Sequence, residues 1–474
     1  MAQNGEQLQA RYGERYKWLV LITVMIGSMA AIMSSTIVNV AVPDLSRHFT
    51  LGQERAQWVS TSFMLAMTLS MLTTPWLLLR FGLRRTYGCA MLLLLLGGIA
   101  GGFSVNYLML IAMRVLEGLA CGVVQPIPAI MILRSFEKHE QGRAMGLFGF
   151  GVVLAPALGP SVGGFLVEHF GWRSIFFIMV PFCLVVLAMA HRYLAANATG
   201  GDARPLDWRG LLLAGVTTIC LLNGLVEVRQ NGLIATILLG IGLAGLVSFI
   251  LYQLRTTDPL MNMSLFRYPQ FAMGALVAFI YGMGLFGSTY LLPVYMQLGL
   301  HYLPSQAGLV LLPAGVVLAV TIWLGGRLVD RFRPHVLVAL GVALLALSFA
   351  LMALVKPDTS YIVLMLWAIV GRIGLGLVLP ALSLGSMRGV DFALIAQGSS
   401  TINFLRQLGG AIGVSLVGIV LEWRLSLYPA DSGAHGLRAF DETFMFIAVI
   451  SALAVMAAWR MREPQAPDQD QRQP

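Results

Sequence analysis

The sequence predicts an all-α integral membrane protein, built as two six-helix bundles with a transmembrane hairpin between them, fourteen helices in all, with both termini cytoplasmic. Three observations predict it. Hydrophobic residues make up 58% of the 474 residues and charged residues 11%, against about 25% charged in soluble globular chains. So few charges cannot cover a water-soluble body of this size, whereas lipid needs none. The apolar residues fall in runs of about 20 or more, the length that crosses a bilayer as a helix. The basic residues between those runs are dense in alternate gaps, which fixes an orientation.

Fourteen runs meet the length requirement: 18–43, 57–79, 86–106, 107–133, 143–168, 174–194, 209–227, 232–254, 271–297, 305–329, 335–355, 361–385, 397–423 and 440–461. They must be helices, because a helix satisfies its own backbone polar groups in lipid, and none shows the alternation of a barrel strand. The first 16 residues are polar, and the run that follows is too long for the core of a cleaved signal and lacks a small-residue cleavage site. It therefore reads as an uncleaved first span. With the N-terminus in the cytoplasm, 21 of the 31 basic residues fall on the inner side, 7 on the outer side and 3 inside spans. The asymmetry holds along the whole chain, and it requires the pair of runs at 209–254 to be both in or both out.

Internal echoes divide the chain. PWLLLRFGLRR at 75–85 follows the second run and GGRLVDRFRP at 325–334 follows the tenth; each is a short Arg-rich turn between long helices. Gly122 precedes Pro126 by four residues as Gly376 precedes Pro380, and the Gly-rich runs 143–168 and 397–423 form a third pair. Same-direction repeats of this kind predict two halves related by an axis along the membrane normal. The expected units are a cytoplasmic tail 1–17, a first bundle 18–196, linkers and an inserted hairpin 197–270, a second bundle 271–462 and a cytoplasmic tail 463–474.

Several classes are excluded. The net charge is +9 but the basic residues are scattered between apolar runs, so no nucleic-acid partner is expected. Cys89, Cys121, Cys183 and Cys220 all lie inside runs without zinc-site spacing and read as small buried hydrophobes. There is no phosphate-binding loop of the ATPase type, no dinucleotide fingerprint, no zincin pattern and no nucleophile elbow. The seven histidines are scattered, mostly in loops. No metal, cofactor or enzymatic activity is expected. A membrane enzyme, the rival class, would need polar residues converging at one depth.

Four segments carry chemistry. The turn 75–85 keeps Arg80, Gly82, Arg84 and Arg85, and its second-half copy has Asp330 and Arg331. RVLEGLACG at 114–122 places Arg114 and Glu117 three apart on one helix face inside a span, where ionisable groups are costly and face a cavity or a partner. APALGPSVGG at 155–164 combines Gly159, Gly163 and Gly164, which permit close helix approach, with Pro160, which can bend the helix. MSSTIVNVAVP at 33–43 carries Ser34, Thr36 and Asn39.

With these segments the chain, from about Trp18 to about Arg462, resembles the major facilitator superfamily, specifically the drug:proton antiporters with fourteen helices, the EmrB/QacA type. The resemblance implies that the turn with Arg80, Gly82, Arg84 and Arg85, and its copy with Asp330 and Arg331, act as a cytoplasmic latch; a topogenic charge cluster is the other reading. Pro75 and Leu79 stand where that motif usually has Gly and Asp. It implies that Arg114 takes part in proton transfer, with Glu117 where Gln is usual; a self-neutralising packing pair is the other reading. Gly159, Pro160, Gly163 and Gly164 match the motif that marks exporters. In the first helix Thr36, Asn39 and Pro43 match, but Ser34 replaces the acid expected to carry the proton.

The function expected is secondary export of small lipophilic or amphipathic compounds, of the multidrug-efflux kind, coupled to protons. The alternatives are an uncoupled facilitator or a sensor on a transporter fold. A central cavity between the bundles is expected to touch Ser34, Thr36, Asn39, Arg114, Gln125 and Arg406, because polar groups at mid-span need a wet or paired setting. Glu117 and Glu227 are the acids found inside spans, and Tyr281, Tyr290, Gln297 and Trp323 are further lining candidates. The partners expected are a small-molecule substrate, a proton and the lipid bilayer, with a periplasmic adaptor left open. The 28 arginines against 3 lysines suggest a GC-rich bacterial genome, and a bacterial inner membrane is the implied address.

Overall fold

The structure, a computed structural model, describes residues 5–51, 53–196, 205–228, 230–356, 359–428 and 433–461, leaving aside the side chains of 5, 53–54, 156–158, 160–161, 304–305, 307 and 433–436. Most of the expected linker 197–208 and the tail 463–474, with Arg204, Arg229, Arg462 and Arg472, therefore lie outside the described residues.

The described residues are helical almost throughout. The first half runs α1 (Gly5–Tyr12), α2 (Arg15–His48), α3 (Gln53–Ser70), α4 (Thr74–Gly102), α5 (Tyr107–Val124), α6 (Ile127–Ser135), α7 (Gln141–Phe170), α8 (Ser174–Phe177) and α9 (Met179–Tyr193). The hairpin is α10 (Trp208–Glu227) and α11 (Gly232–Arg255). The second half is α12 (Pro269–Val294), α13 (Pro304–Val329), α14 (Pro334–Met352), α15 (Tyr361–Gly385), α16 (Ile395–Leu427) and α17 (Gly433–Trp459). In the first half α2 packs on α7, α3 on α5, and α4 on α5 and α9; in the second α12 packs on α16, α13 on α15, and α14 on α15 and α17.

Twelve stretches among the described residues are long and apolar enough to cross a membrane, against the fourteen expected. Two of the fourteen expected runs are not separate members of this set. Arg55–Gly102 is one of the twelve but is 48 residues long, about twice what a crossing needs. Inside it the backbone leaves the helix at Gly82, with φ 74° and ψ 168°, a conformation that only glycine adopts without strain. The expected run 143–168 falls in α7, of 30 residues, which contains the side chains left aside at 156–158, 160 and 161.

Other boundaries also depart from the sequence expectation for local reasons. The run 107–133 is two helices, because Pro126 has no N–H to continue the ladder of α5. The run 174–194 breaks at Ile178, three residues before Pro181, whose ring disturbs the preceding turn. The polar N-terminal tail contains α1, anchored by Leu8, which is buried, and by Tyr12, whose ring packs edge-on against Tyr193. A π-helical turn, Tyr295–Gly299, closes α12.

Exposed side chains on the outward faces are largely Leu, Ile, Val and Phe, among them Leu233, Ile237, Ile241, Leu312 and Val449. In water this would be a very large apolar patch; in a bilayer it is the lipid contact. The hairpin helices lock together through Gly224, Gly242 and Gly245, which meet Leu239, Leu221 and Thr217. Its base is tied by Asp207, which accepts from Gly210 N (2.8 Å), Tyr252 Oη (3.1 Å) and Gln253 Nε2 (2.8 Å).

Candidate functional site

The polar centre of the first half is built from three helices. Asn106 caps α5, its Oδ1 accepting from Met109 N at 2.8 Å, and sets the register that turns Arg114 and Glu117 inward. Glycines then bring the neighbours close. A Cβ at Gly118 or Gly122 would collide with the α3 carbonyls of Phe63 or Met67, and one at Gly97 would lie 2.7 Å from Glu117 Cγ.

Arg114 and Glu117 are 0% and 1% exposed and form an ion pair, Nη1 to Oε2 at 2.5 Å. Arg114 Nη1 also donates to Ser34 O (3.4 Å) and Ser34 Oγ (3.3 Å), and its Nε donates to Val59 O at 3.1 Å. Its guanidinium lies 4.1 Å from the centroid of the Phe63 ring. Ser34 Oγ donates to Glu117 Oε2 at 3.2 Å. Residues 83 positions apart in the chain thus form one closed triad, Ser34–Arg114–Glu117. Arg114 Nη2 is buried with no hydrogen-bond partner.

The exporter-type glycines sit beside this triad. A Cβ at Gly159 would lie 2.8 Å from Thr36 Oγ1 and one at Gly163 would lie 2.6 Å from Ile37 Cγ1, so α7 and α2 touch here. Gly164 is looser, at 4.0 Å from Val40 Cγ1. The Pro160 side chain lies outside the described residues.

The remaining expected site residues are more dispersed. Thr36 is half-buried, its hydroxyl donating to the Ile32 carbonyl at 3.2 Å. Asn39 is exposed and accepts from Ser60 Oγ at 2.7 Å. Gln125 is half-buried at the break between α5 and α6. Arg406, on α16 in the other half, is half-buried and donates to Asn403 Oδ1 at 2.8 Å. Glu227 ends α10 at the hairpin turn and is not brought to the triad. Tyr281 donates to Leu375 O at 3.3 Å, and half-buried Trp323 lies under Arg327.

The two halves meet towards the end that bears α1. Gly142, Gly146 and Gly149 of α7 pack on Gly326, Trp323 and Ile322 of α13. Across this seam Asp330 caps the start of α7: Oδ1 accepts from Gly142 N at 2.7 Å and Oδ2 from Arg143 N at 2.8 Å. A carboxylate at a helix N-terminus satisfies orphan donors and complements the dipole. Burial nevertheless pushes the Asp330 carboxyl above its usual range, the two backbone N–H groups offsetting part of that rise. The first-half copy of this turn behaves differently. Leu79 is exposed, Arg80 stacks on Trp76 and Phe81, Arg84 Nη2 meets His191 Nδ1 at 2.6 Å, and Arg85 and Arg331 are exposed. Ser399 of α16 also crosses the seam, donating to Pro126 O at 3.3 Å.

Sequence reading missed one polar cluster. Glu117 and Glu227 are not the only acids within the expected runs: Glu168 and Glu422 also fall inside them, and Asp441 and Glu442 stand at the start of the last, 440–461. Glu442 accepts from Tyr428 Oη at 2.8 Å and pairs with Arg424 Nε at 2.9 Å, while Asp441 Oδ1 is buried without a hydrogen-bond partner. The signal was the pair of acids itself. Among the described residues no group of His, Cys, Asp and Glu is placed to hold a metal ion.

Two bundles of long apolar helices joined at one end, with an ion pair buried inside one of them, make a multi-pass membrane protein. The signature of the Major Facilitator Superfamily matches residues 24–414, and the chain belongs to that family. It is similar to the MFS-type transporter YhcA of Bacillus subtilis, 30% identical over 401 residues, 84% of this chain and 75% of that one. It is also similar to the lincomycin resistance protein LmrB of Bacillus subtilis, 25% identical over 468 residues, 96% of this chain and 98% of that one. A multidrug resistance protein B homolog of Mycobacterium tuberculosis is 30% identical over 429 residues, 88% of this chain and 79% of that one. Among solved structures, the human organic anion transporter MFSD10 matches with TM-score 0.68 at 16% identity, over 93% of this chain and 99% of that one. The proton:xylose symporter XylE matches with TM-score 0.69 at 14% identity, over 94% and 96%. At these identities the structural likeness shows the fold. The protein is thus a multi-pass membrane transporter of a family that is typically non-enzymatic.

Proposed function

We propose that this chain is a proton-coupled exporter of small lipophilic or amphipathic compounds in a bacterial inner membrane, with Glu117 as the proton carrier. The observation that carries the reading is the closed triad of Ser34, Arg114 and Glu117. An ion pair in low dielectric persists only while its partners stay together. Ser34 reaches the pair from α2, so movement of α2 against α5 that withdraws it, or lets water in, changes which protonation state of Glu117 is favoured. That is the requirement for a carboxyl that binds a proton on one side and releases it on the other. The serine at position 34 supplies a hydroxyl where the resembling antiporters have an acid, and Glu117 supplies the carboxylate from the facing helix.

Export is supported by the resistance proteins to which the chain is similar over most of its length, and by the Gly159–Gly163 face that lets α7 ride on α2 beside Thr36. Fourteen crossings are supported by the 48-residue stretch that turns at Gly82 and by the 30-residue α7, and cytoplasmic termini by the 21-to-7 asymmetry of basic residues. Reporter fusions at Ala198 and Ser264 are expected to report cytoplasm and one at Gln230 the outside; a cytoplasmic Gln230 fusion leaves the hairpin unspanned. The functional test is a susceptibility and accumulation panel in an efflux-deficient host, with and without a protonophore. Lower accumulation that the protonophore abolishes is the expected result. No change for any amphipathic compound refutes export, and insensitivity to the protonophore leaves a facilitator.

A further inference from the structure

A groove of about 920 Å³ runs along the outside of the first bundle, between hairpin helix α10 and the faces of α3, α4 and α5. Its walls are apolar, from Leu65, Leu69, Leu93 and Leu119 on the bundle side to Leu212 and Val216 on α10. The hairpin touches the bundle here only lightly: a Cβ at Gly215 would rest in ordinary contact with Leu69 at 3.4 Å. Trp58 stands at one end of the groove and Trp76 and Trp208 at the other, the α1 end. Trp58 and Trp76 are separated by a helical rise of roughly 27 Å, close to the thickness of a bilayer core of about 30 Å. Tryptophans at both ends are what the two membrane interfaces select. Among the described lining residues the single charged side chain is Arg85, exposed at the α1 end, and Arg80 stacks on the lining rings of Trp76 and Phe81 beside it.

We propose that this groove holds one anionic phospholipid of the leaflet at the α1 end, its phosphate on Arg85 and its acyl chains along the α3–α10 walls, wedging the hairpin to the bundle. Charge decides the occupant. Among the described residues the lining offers a guanidinium with no acid in the groove to neutralise it, at the depth where a headgroup sits, above largely apolar walls. Basic sites between transmembrane helices recognise anionic headgroups in this way. The inference does not depend on the direction or coupling of transport.

The full-length protein, purified in a mild detergent, stripped of lipid and carrying Cys220→Ser, is titrated with phosphatidylglycerol or phosphatidylethanolamine and read by native mass spectrometry. In parallel, alkylation of Cys89, exposed on the groove wall, by a lipophilic maleimide is timed. Phosphatidylglycerol is expected to bind about fivefold more tightly than phosphatidylethanolamine, with Arg85→Gln removing the difference. It is also expected to slow Cys89 alkylation, and Cys89→Trp, which fills the groove, is expected to abolish retention. Equal retention of both lipids by the unmodified protein overturns the proposal. So does phosphatidylglycerol binding that leaves Cys89 reactive, or protection of Cys89 by a lipophilic cation but not by the lipid, which makes the groove a substrate vestibule. If Cys89→Trp does not fold, Arg85→Gln and the alkylation rate decide the matter.

Discussion

Asp330 holds the two halves together at the α1 end through two acceptors on the first turn of α7. Asp330→Ala removes both. Loss of an N-terminal cap costs about 0.5–2 kcal/mol, and here the cost falls on the closed form, because opening lets water reach the Gly142 and Arg143 N–H groups. A penalty of about 1–2 kcal/mol lowers the closed-to-open ratio about 5- to 30-fold. Asp330→Asn is the informative companion. Asparagine removes the charge and keeps one of the two acceptor atoms. Its effect is expected to be at most about half that of alanine. Spin labels at the exposed positions Lys138 and Arg333, in a background without the four cysteines, report the distance across this end by double electron–electron resonance. The short-distance population should fall in the order unmodified, Asn, Ala. An asparagine variant as open as the alanine one refutes the reasoning and makes charge the latch. The pH dependence has a definite sign. The carboxyl binds its proton more tightly when buried than when hydrated in the open form. Falling pH between the ordinary and the raised value therefore favours the closed end.

Three further outcomes follow from the packing. Gly163→Leu adds heavy atoms where a Cβ alone would lie 2.6 Å from Ile37 Cγ1; an overpacking cost of about 1–3 kcal/mol should abolish transport while membrane insertion, followed by fluorescence of a fusion, persists. Arg114→Ala leaves Glu117 buried without its partner and should destabilise by about 3–5 kcal/mol. The double substitution Arg114→Ala with Glu117→Ala should lose less than that single change in thermal unfolding. Ser34→Ala removes one donor to Glu117 Oε2 and should cost about 0.5–1.5 kcal/mol without ending transport.

Much of the fold was legible because lipid imposes a simple code: long apolar runs for helices, and Arg clusters at 80–85, 134–143 and 327–333 for one face. The breaks were less so. Pro126 and Pro181 split runs that composition reads as continuous, and nothing in local composition marks the π-helical turn at Tyr295. Arg114 with Glu117 was readable as an i,i+3 pair, but the contact of both with Ser34 depends on how α2 meets α5, which spacing along the chain cannot encode. The expected cavity set was a set of polar residues, and polarity alone did not separate buried Ser34 and Arg114 from exposed Asn39. Asp330 and Leu79 show the same limit: their turns echo each other in sequence, yet only Asp330 meets a helix N-terminus, that of α7.

Efflux from proteoliposomes under an imposed pH gradient, comparing the unmodified protein with Glu117→Gln, tests the proton-carrier role most directly. The substitution keeps the size and one acceptor for Ser34 and Arg114 but removes the titratable group. The unmodified protein should accelerate substrate movement when the gradient is applied, and Glu117→Gln should bind substrate with similar affinity yet ignore the gradient. A Glu117→Gln protein that transports as fast as the unmodified one and still responds to the gradient would contradict the account.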